Sequence, residues 1–133
     1  MVAEYADKNI LLVEDDQDNL EMFVEVLSLR TPYHIHAVTT GTDALHVATQ
    51  VSPDLFVLDY LLPDLDGLEL YDLLHATPGL EQVPAIIISA ASLEPLTYEI
   101  ESRKLLHLQK PFHLNVFVDT IDQALDQSDE AAS

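Results

Sequence analysis

The chain contains no cysteine, which excludes a disulfide framework and any thiolate metal site. Positive charge is scarce. Five bases (Lys8, Arg30, Arg103, Lys104 and Lys110) stand against 24 acids, for a formal charge of −19. A nucleic-acid binder needs clustered Lys and Arg to displace phosphate counterions, and an anionic bilayer repels the same excess of acids, so neither is an expected partner. No apolar run approaches the length that spans a bilayer, and the opening stretch MVAEYADKN is acidic and polar; a cytoplasmic protein is expected. Internal repeats are absent too, as is low complexity outside the last few residues. The acid excess itself reads as a solvated surface.

What is present suits one folded unit. The 133 residues are 48% apolar, enough for a single domain with a real core and too few for two. Short apolar runs alternate with amphipathic stretches, the pattern of repeated βαβ units and a parallel sheet covered on both faces. The runs are ILLV (10–13), HIHAV (34–38), LFVL (55–58), AIII (85–88) and LLHL (105–108). Between them, Leu20, Phe23, Val24 and Leu27 share one helical face, as do Ala44, Val47, Ala48 and Val51. A third helix is expected from Leu68 to His75, and a fourth from near Pro95, presenting Leu96 and Ile100. A last helix places Phe117, Ile121, Ala124 and Leu125 on one side. The remaining DQSDEAAS is polar, with nothing to pack.

In an open parallel sheet, ligands bind beyond the carboxyl ends of the strands. The polar residues that follow the apolar runs are few: Glu14, Asp15 and Asp16 after the first, Asp59 at the third, Ser89 after the fourth, and Lys110 with Pro111 after the fifth. Crowded carboxylates repel one another unless a cation neutralises them, and hard oxygen ligands of this kind suit Mg²⁺. Lys110 is a compact cation able to pair with Asp59 and balance a transferred phosphoryl group, while Ser89 offers a hydroxyl to one of its oxygens. These are the parts phosphoryl transfer to a carboxylate requires. Each residue also has a plainer reading. Asp16 can cap the helix that begins near Gln17, Ser89 can be a turn residue, and Lys110 can be solvated. Asp59 resists such a reading, since an unpartnered carboxylate closing an apolar strand is costly.

The ordered set ILLVEDD (10–16), GTDAL (41–45), PDLFVLDYLLPDLDG (53–67), VPAIIISA (83–90) and KPF (110–112) resembles the response-regulator receiver domains of two-component signalling. The resemblance spans nearly the whole chain. It implies a doubly wound, flavodoxin-like (βα)5 fold of the α/β class, strand order 2-1-3-4-5. The domain is expected over residues 1–126, with the polar residues 127–133 as a disordered acidic tail. It implies that Asp59 accepts a phosphoryl group from a phosphohistidine on a sensor kinase or histidine phosphotransfer protein. Asp15, Asp59 and the backbone carbonyl of Leu61 would ligate Mg²⁺, with Glu14 acting through water or as a further ligand. Ser89 and Lys110 would bind the phosphoryl oxygens, and the bond before Pro111 would be cis. Such a domain would catalyse only its own phosphorylation and dephosphorylation. It would act as a stand-alone receiver or an excised domain, meeting its target through the face of helix 4, strand 5 and helix 5.

Two departures bear on output. The family's Tyr or Phe three residues before the lysine is His107 here, which can swing inward as a switch, make that switch sensitive to pH, or simply pack on an edge strand. The small pair usual before the fifth strand is replaced by Arg103 and Lys104. His107 keeps open a second reading, a pseudo-receiver that binds partners without phosphorylation. A haloacid-dehalogenase-like phosphatase would carry a second Asp two residues after its nucleophile, where this chain has Leu61. Leu61 and Ala91, two residues beyond Asp59 and Ser89, are apolar, and slow hydrolysis of the phosphorylated state is expected from them.

Overall fold

Three of the apolar runs lack polar alternation, and in the computed structural model, which describes residues 7–132, they form the centre of one sheet. The strands are β1 (Asn9–Val13), β2 (His34–Val38), β3 (Leu55–Asp59), β4 (Ala85–Ser89) and β5 (Leu106–Gln109). All pair in parallel in the order 2-1-3-4-5. Every residue of β3 and β4 is buried, as two-sided cover demands. The outer strands β2 and β5 mix exposed and half-buried positions, because each is hydrogen-bonded along one side only.

Successive side chains leave opposite faces of a strand, and the core divides accordingly. Leu11, Val13, Phe56, Leu58 and Ile87 face α2 (Gly41–Val51), α3 (Gly67–His75) and α4 (Thr97–Ser102). Ile10, Leu12, Leu55, Val57 and Ile86 face α1 (Gln17–Arg30) and α5 (Leu114–Ala132). The helical faces read from the sequence are the ones that pack: Leu20, Phe23 and Leu27 of α1, Ala44 and Ala48 of α2, and Phe117, Ile121, Ala124 and Leu125 of α5 are buried.

Local chemistry sets the helix starts. The Asp16 carboxylate accepts from Asn19 N at 2.9 Å, so α1 begins at Gln17. A reciprocal capping box between Asp66 and Glu69 starts α3. Gly67 there permits a close approach, since a Cβ would lie 2.6 Å from the Asp59 carbonyl oxygen.

The structure shifts several boundaries. Pro95 lies in a 3-10 turn, Glu94–Leu96, and the α-helix proper begins at Thr97. Strand β5 begins at Leu106, not Leu105: the Leu105 amide is held by Ile100 O at 3.0 Å, and Lys104 turns the chain with φ of 56°. Helix α5 runs from Leu114 to Ala132. Ser133 lies outside the described residues.

Candidate functional site

The parallel register brings the strand ends to one edge. Val13 pairs with Leu58 and Asp59 with Ile88, so the residue after β1 and the last residues of β3 and β4 sit side by side. Tyr60 N donates to Ile88 O at 2.7 Å and Lys110 N to Ser89 O at 2.8 Å, which carries the edge across to the residue after β5. Glu14, Asp59 and Ser89 are the buried polar residues among those described. All three lie here.

Lys110 spans the acids. Its Nζ donates to Glu14 Oε1 at 2.6 Å and to Asp59 Oδ2 at 3.3 Å. The shorter bond is to Glu14, although sequence reasoning paired the lysine with Asp59. Asp59 Oδ1 accepts from Leu61 N at 3.2 Å, and Glu14 Oε2 from Asp16 N at 3.3 Å. Ser89 Oγ accepts from Ala91 N at 3.1 Å, so the hydroxyl closes a turn and keeps its proton for another acceptor. The Lys110–Pro111 bond is cis.

One ammonium does not balance three carboxylates. Oxygens of Glu14, Asp15 and Asp59 lie within 4.8 Å of one another. Burial, reinforced by the Asp59 carboxyl and opposed by Lys110, raises the pKa of Glu14. Burial and the neighbouring Glu14 raise that of Asp15. For Lys110, burial pulls downward, but the hydrogen bond to Glu14 and the charge of Asp59 outweigh it, and the ammonium is favoured. This excess of anionic oxygen fits a divalent, oxygen-seeking cation such as Mg²⁺.

Leu61 is 60% exposed beside this cluster. His107 stands apart from it, exposed on β5 and lining a groove of about 360 Å³ with Leu93, Glu94, Ile100 and Glu101. Sequence reasoning missed Asp64, whose carboxylate accepts from Gly41 N, Thr42 N and Thr42 Oγ1 at 2.9, 2.8 and 2.7 Å. The signal available was an acid inside PDLDG, where turn and capping roles are common.

Residues 10–122 match the family described as the response regulator receiver domain. The chain belongs to that family. A polar-differentiation response regulator, DivK, of Brucella ovis is 27% identical over 119 residues, covering 89% of this chain and 96% of that protein. The crystal structure of a CheY-like receiver domain protein from Methanospirillum hungatei JF-1 superposes with a TM-score of 0.84 at 21% identity, covering 93% of this chain and 98% of the other. A putative response regulator from Chloroflexus aurantiacus J-10-fl gives 0.81 at 25% identity, covering 90% and 98%. The receiver fold with strand order 2-1-3-4-5 is therefore this domain's fold, and its place is in two-component signalling. No described helix of the receiver is long and apolar enough to cross a membrane.

Proposed function

We propose that this receiver is a phosphorylation-dependent switch whose phosphoryl acceptor is Asp59. The observation that carries the reading is the Lys110 ammonium, bonded to both Glu14 and Asp59 across the ends of separate strands. A carboxylate oxygen of Asp59 attacks the phosphorus of a phosphohistidine. The P–O bond forms as the P–N bond breaks, and the departing imidazole nitrogen takes up a proton. As Asp59 gives up its charge to the acyl phosphate, Lys110 balances the incoming phosphoryl oxygens, and the Ser89 hydroxyl donates to one of them. The residues that would hold Mg²⁺ are Glu14, Asp15, Asp59 and the carbonyl of Leu61. When bound, the ion supplies positive charge that lets an anionic phosphodonor approach anionic oxygens.

The donor is a sensor kinase or a histidine phosphotransfer protein, in the cytoplasm. The receiver turns over no substrate beyond its own phosphoryl group. Output passes to a protein target through the α4, β5 and α5 face, phosphorylation biasing an equilibrium between two conformations. The test is incubation with acetyl phosphate. A gain in mass of one phosphoryl group is expected with Mg²⁺, absent in EDTA and absent in Asp59→Asn. His107, exposed on β5, favours the pseudo-receiver as the second reading, and unmodified protein under all conditions would select it.

A further inference from the structure

Strand ends position Asp59, Ser89 and, through the Ser89 carbonyl, the Lys110 backbone. Leu61 lies two residues past Asp59, beyond the strand, with its amide donating to Asp59 Oδ1 at 3.2 Å. It lies on the connection from β3 to α3, whose own pairing is a single bridge between Leu61 and Asp66 and the bond from Gly67 N to Tyr60 O at 2.7 Å. At its base the loop is held to β4 by Tyr60 N on Ile88 O at 2.7 Å, and Leu62 and Leu65 pack on the core.

Asp64 adds a polar tie at the tip. From the tip of the loop its Oδ1 accepts from Gly41 N, and its Oδ2 accepts from Thr42 N and Thr42 Oγ1. The helix end is otherwise capped by its own Thr40, whose Oγ1 accepts from Asp43 N at 3.1 Å. Two carboxylate oxygens on adjacent amides of a rigid helix form a two-point attachment, strengthened by the positive end of the helix dipole. Beside it, Leu65 packs so tightly on Gly41 that a Cβ there would overlap Leu65 Cδ2. The hydrogen bonds, first that of the Thr42 hydroxyl and then that of the Gly41 amide, hold Asp64 ionised, with a pKa lowered to about 2.

We propose that Asp64 is a positioning residue for the phosphoryl-acceptor site: it clamps the loop after Asp59 to the start of α2, and so fixes the Leu61 backbone beside Asp59. This rests on the reading of the site as Mg²⁺-dependent. The alternative is that Asp64 merely caps α2, and Thr40 supplies the control, because it caps the same helix without touching the loop.

The experiment titrates the ¹⁵N-labelled full chain with MgCl₂, following the Glu14 and Leu61 amide shifts, and measures thermal midpoints in EDTA. Asp64→Ala should weaken Mg²⁺ affinity about tenfold, in the range seen when groups that orient metal ligands are removed. Asp64→Asn, which keeps an acceptor oxygen, should weaken it less. Gly41→Ala keeps every carboxylate group but sets a methyl against Leu65 and 3.2 Å from Asp64 Oδ1; it should weaken Mg²⁺ as well, separating loop position from lost charge. Thr40→Ala should lower the thermal midpoint and leave Mg²⁺ affinity unchanged. Undiminished affinity in both Asp64→Ala and Gly41→Ala overturns the proposal, as does an equal loss in Thr40→Ala. If the unaltered chain shows no Mg²⁺-dependent shifts, the reading of the site falls, and this inference with it.

Discussion

Lys110 Nζ sits 2.6 Å from Glu14 Oε1, and the Glu14 side chain is only 2% exposed. The pair ties the residue after β1 to the residue after β5 across the strand that carries Asp59, so the ammonium serves the acid cluster as a whole. Removing one partner of a buried pair leaves an uncompensated charge. Lys110→Ala should therefore lower stability by about 3 kcal/mol at neutral pH and abolish phosphoryl acceptance. Urea unfolding and the acetyl phosphate assay read the two effects separately.

The raised pKa values of Glu14 and Asp15 mean that the folded state holds these protons more tightly than the unfolded chain. Their contribution to stability therefore falls as pH rises from the ordinary carboxylate range through the raised values. Asp15→Asn should raise the unfolding free energy in urea at pH 7 in EDTA, by less than about 1 kcal/mol because Asp15 is exposed to solvent. The gain should shrink toward pH 4. Saturating Mg²⁺ should reverse the order of the two proteins at pH 7.

Leu61 and Ala91 are both exposed and apolar. Neither can hydrogen-bond a water through its side chain, so the aspartyl phosphate should hydrolyse slowly. Leu61→Asn, which offers an amide at the same position, should shorten its half-life several-fold. Decay followed by mass spectrometry without a phosphatase checks this, and fast decay in the unaltered protein sinks the idea.

Arg103 grips Asp72 with Nε on Oδ1 and Nη2 on Oδ2, both at 2.8 Å, and reaches Glu99 O at 2.9 Å. The fork joins the end of α4 to α3 and lowers the pKa of Asp72. Its stabilisation is present above the ordinary carboxylate value and lost as pH falls through the lowered one. Because Asp72 is half exposed, Asp72→Ala should cost about 0.5 to 1 kcal/mol at pH 7. A double-mutant cycle with Arg103→Ala would show whether the two losses are shared.

A charge of −19 on 133 residues makes the folded state repel itself. Raising KCl from about 0.1 to 1 M shortens the screening length from about 10 to 3 Å, so the thermal midpoint should climb by several degrees. A flat response would show that the acids are already neutralised in the fold.

The alternation of apolar runs with one-faced helices made the βα repeat legible because burial imposes its periodicity directly on side-chain choice. Strands β1, β3 and β4 were easy to read since both faces are covered, whereas β5 was misplaced by one residue because an edge strand with half-buried positions carries little pattern. Asp59, Glu14, Ser89 and Lys110 were legible as candidates by their position after apolar runs. Asp64 was not, because its partners lie more than twenty residues away, at Gly41 and Thr42.

The sequence by itself determined which segments are buried, which helix faces turn inward, and that acids, a hydroxyl and an amine follow the strands, since these depend on local periodicity and residue chemistry. Only the tertiary structure decided that Lys110 favours Glu14 over Asp59, that His107 stands apart from the acids, and that the loop after Asp59 is tied to α2. Those facts depend on which distant backbones the parallel register brings together, and register is a property of the packed sheet.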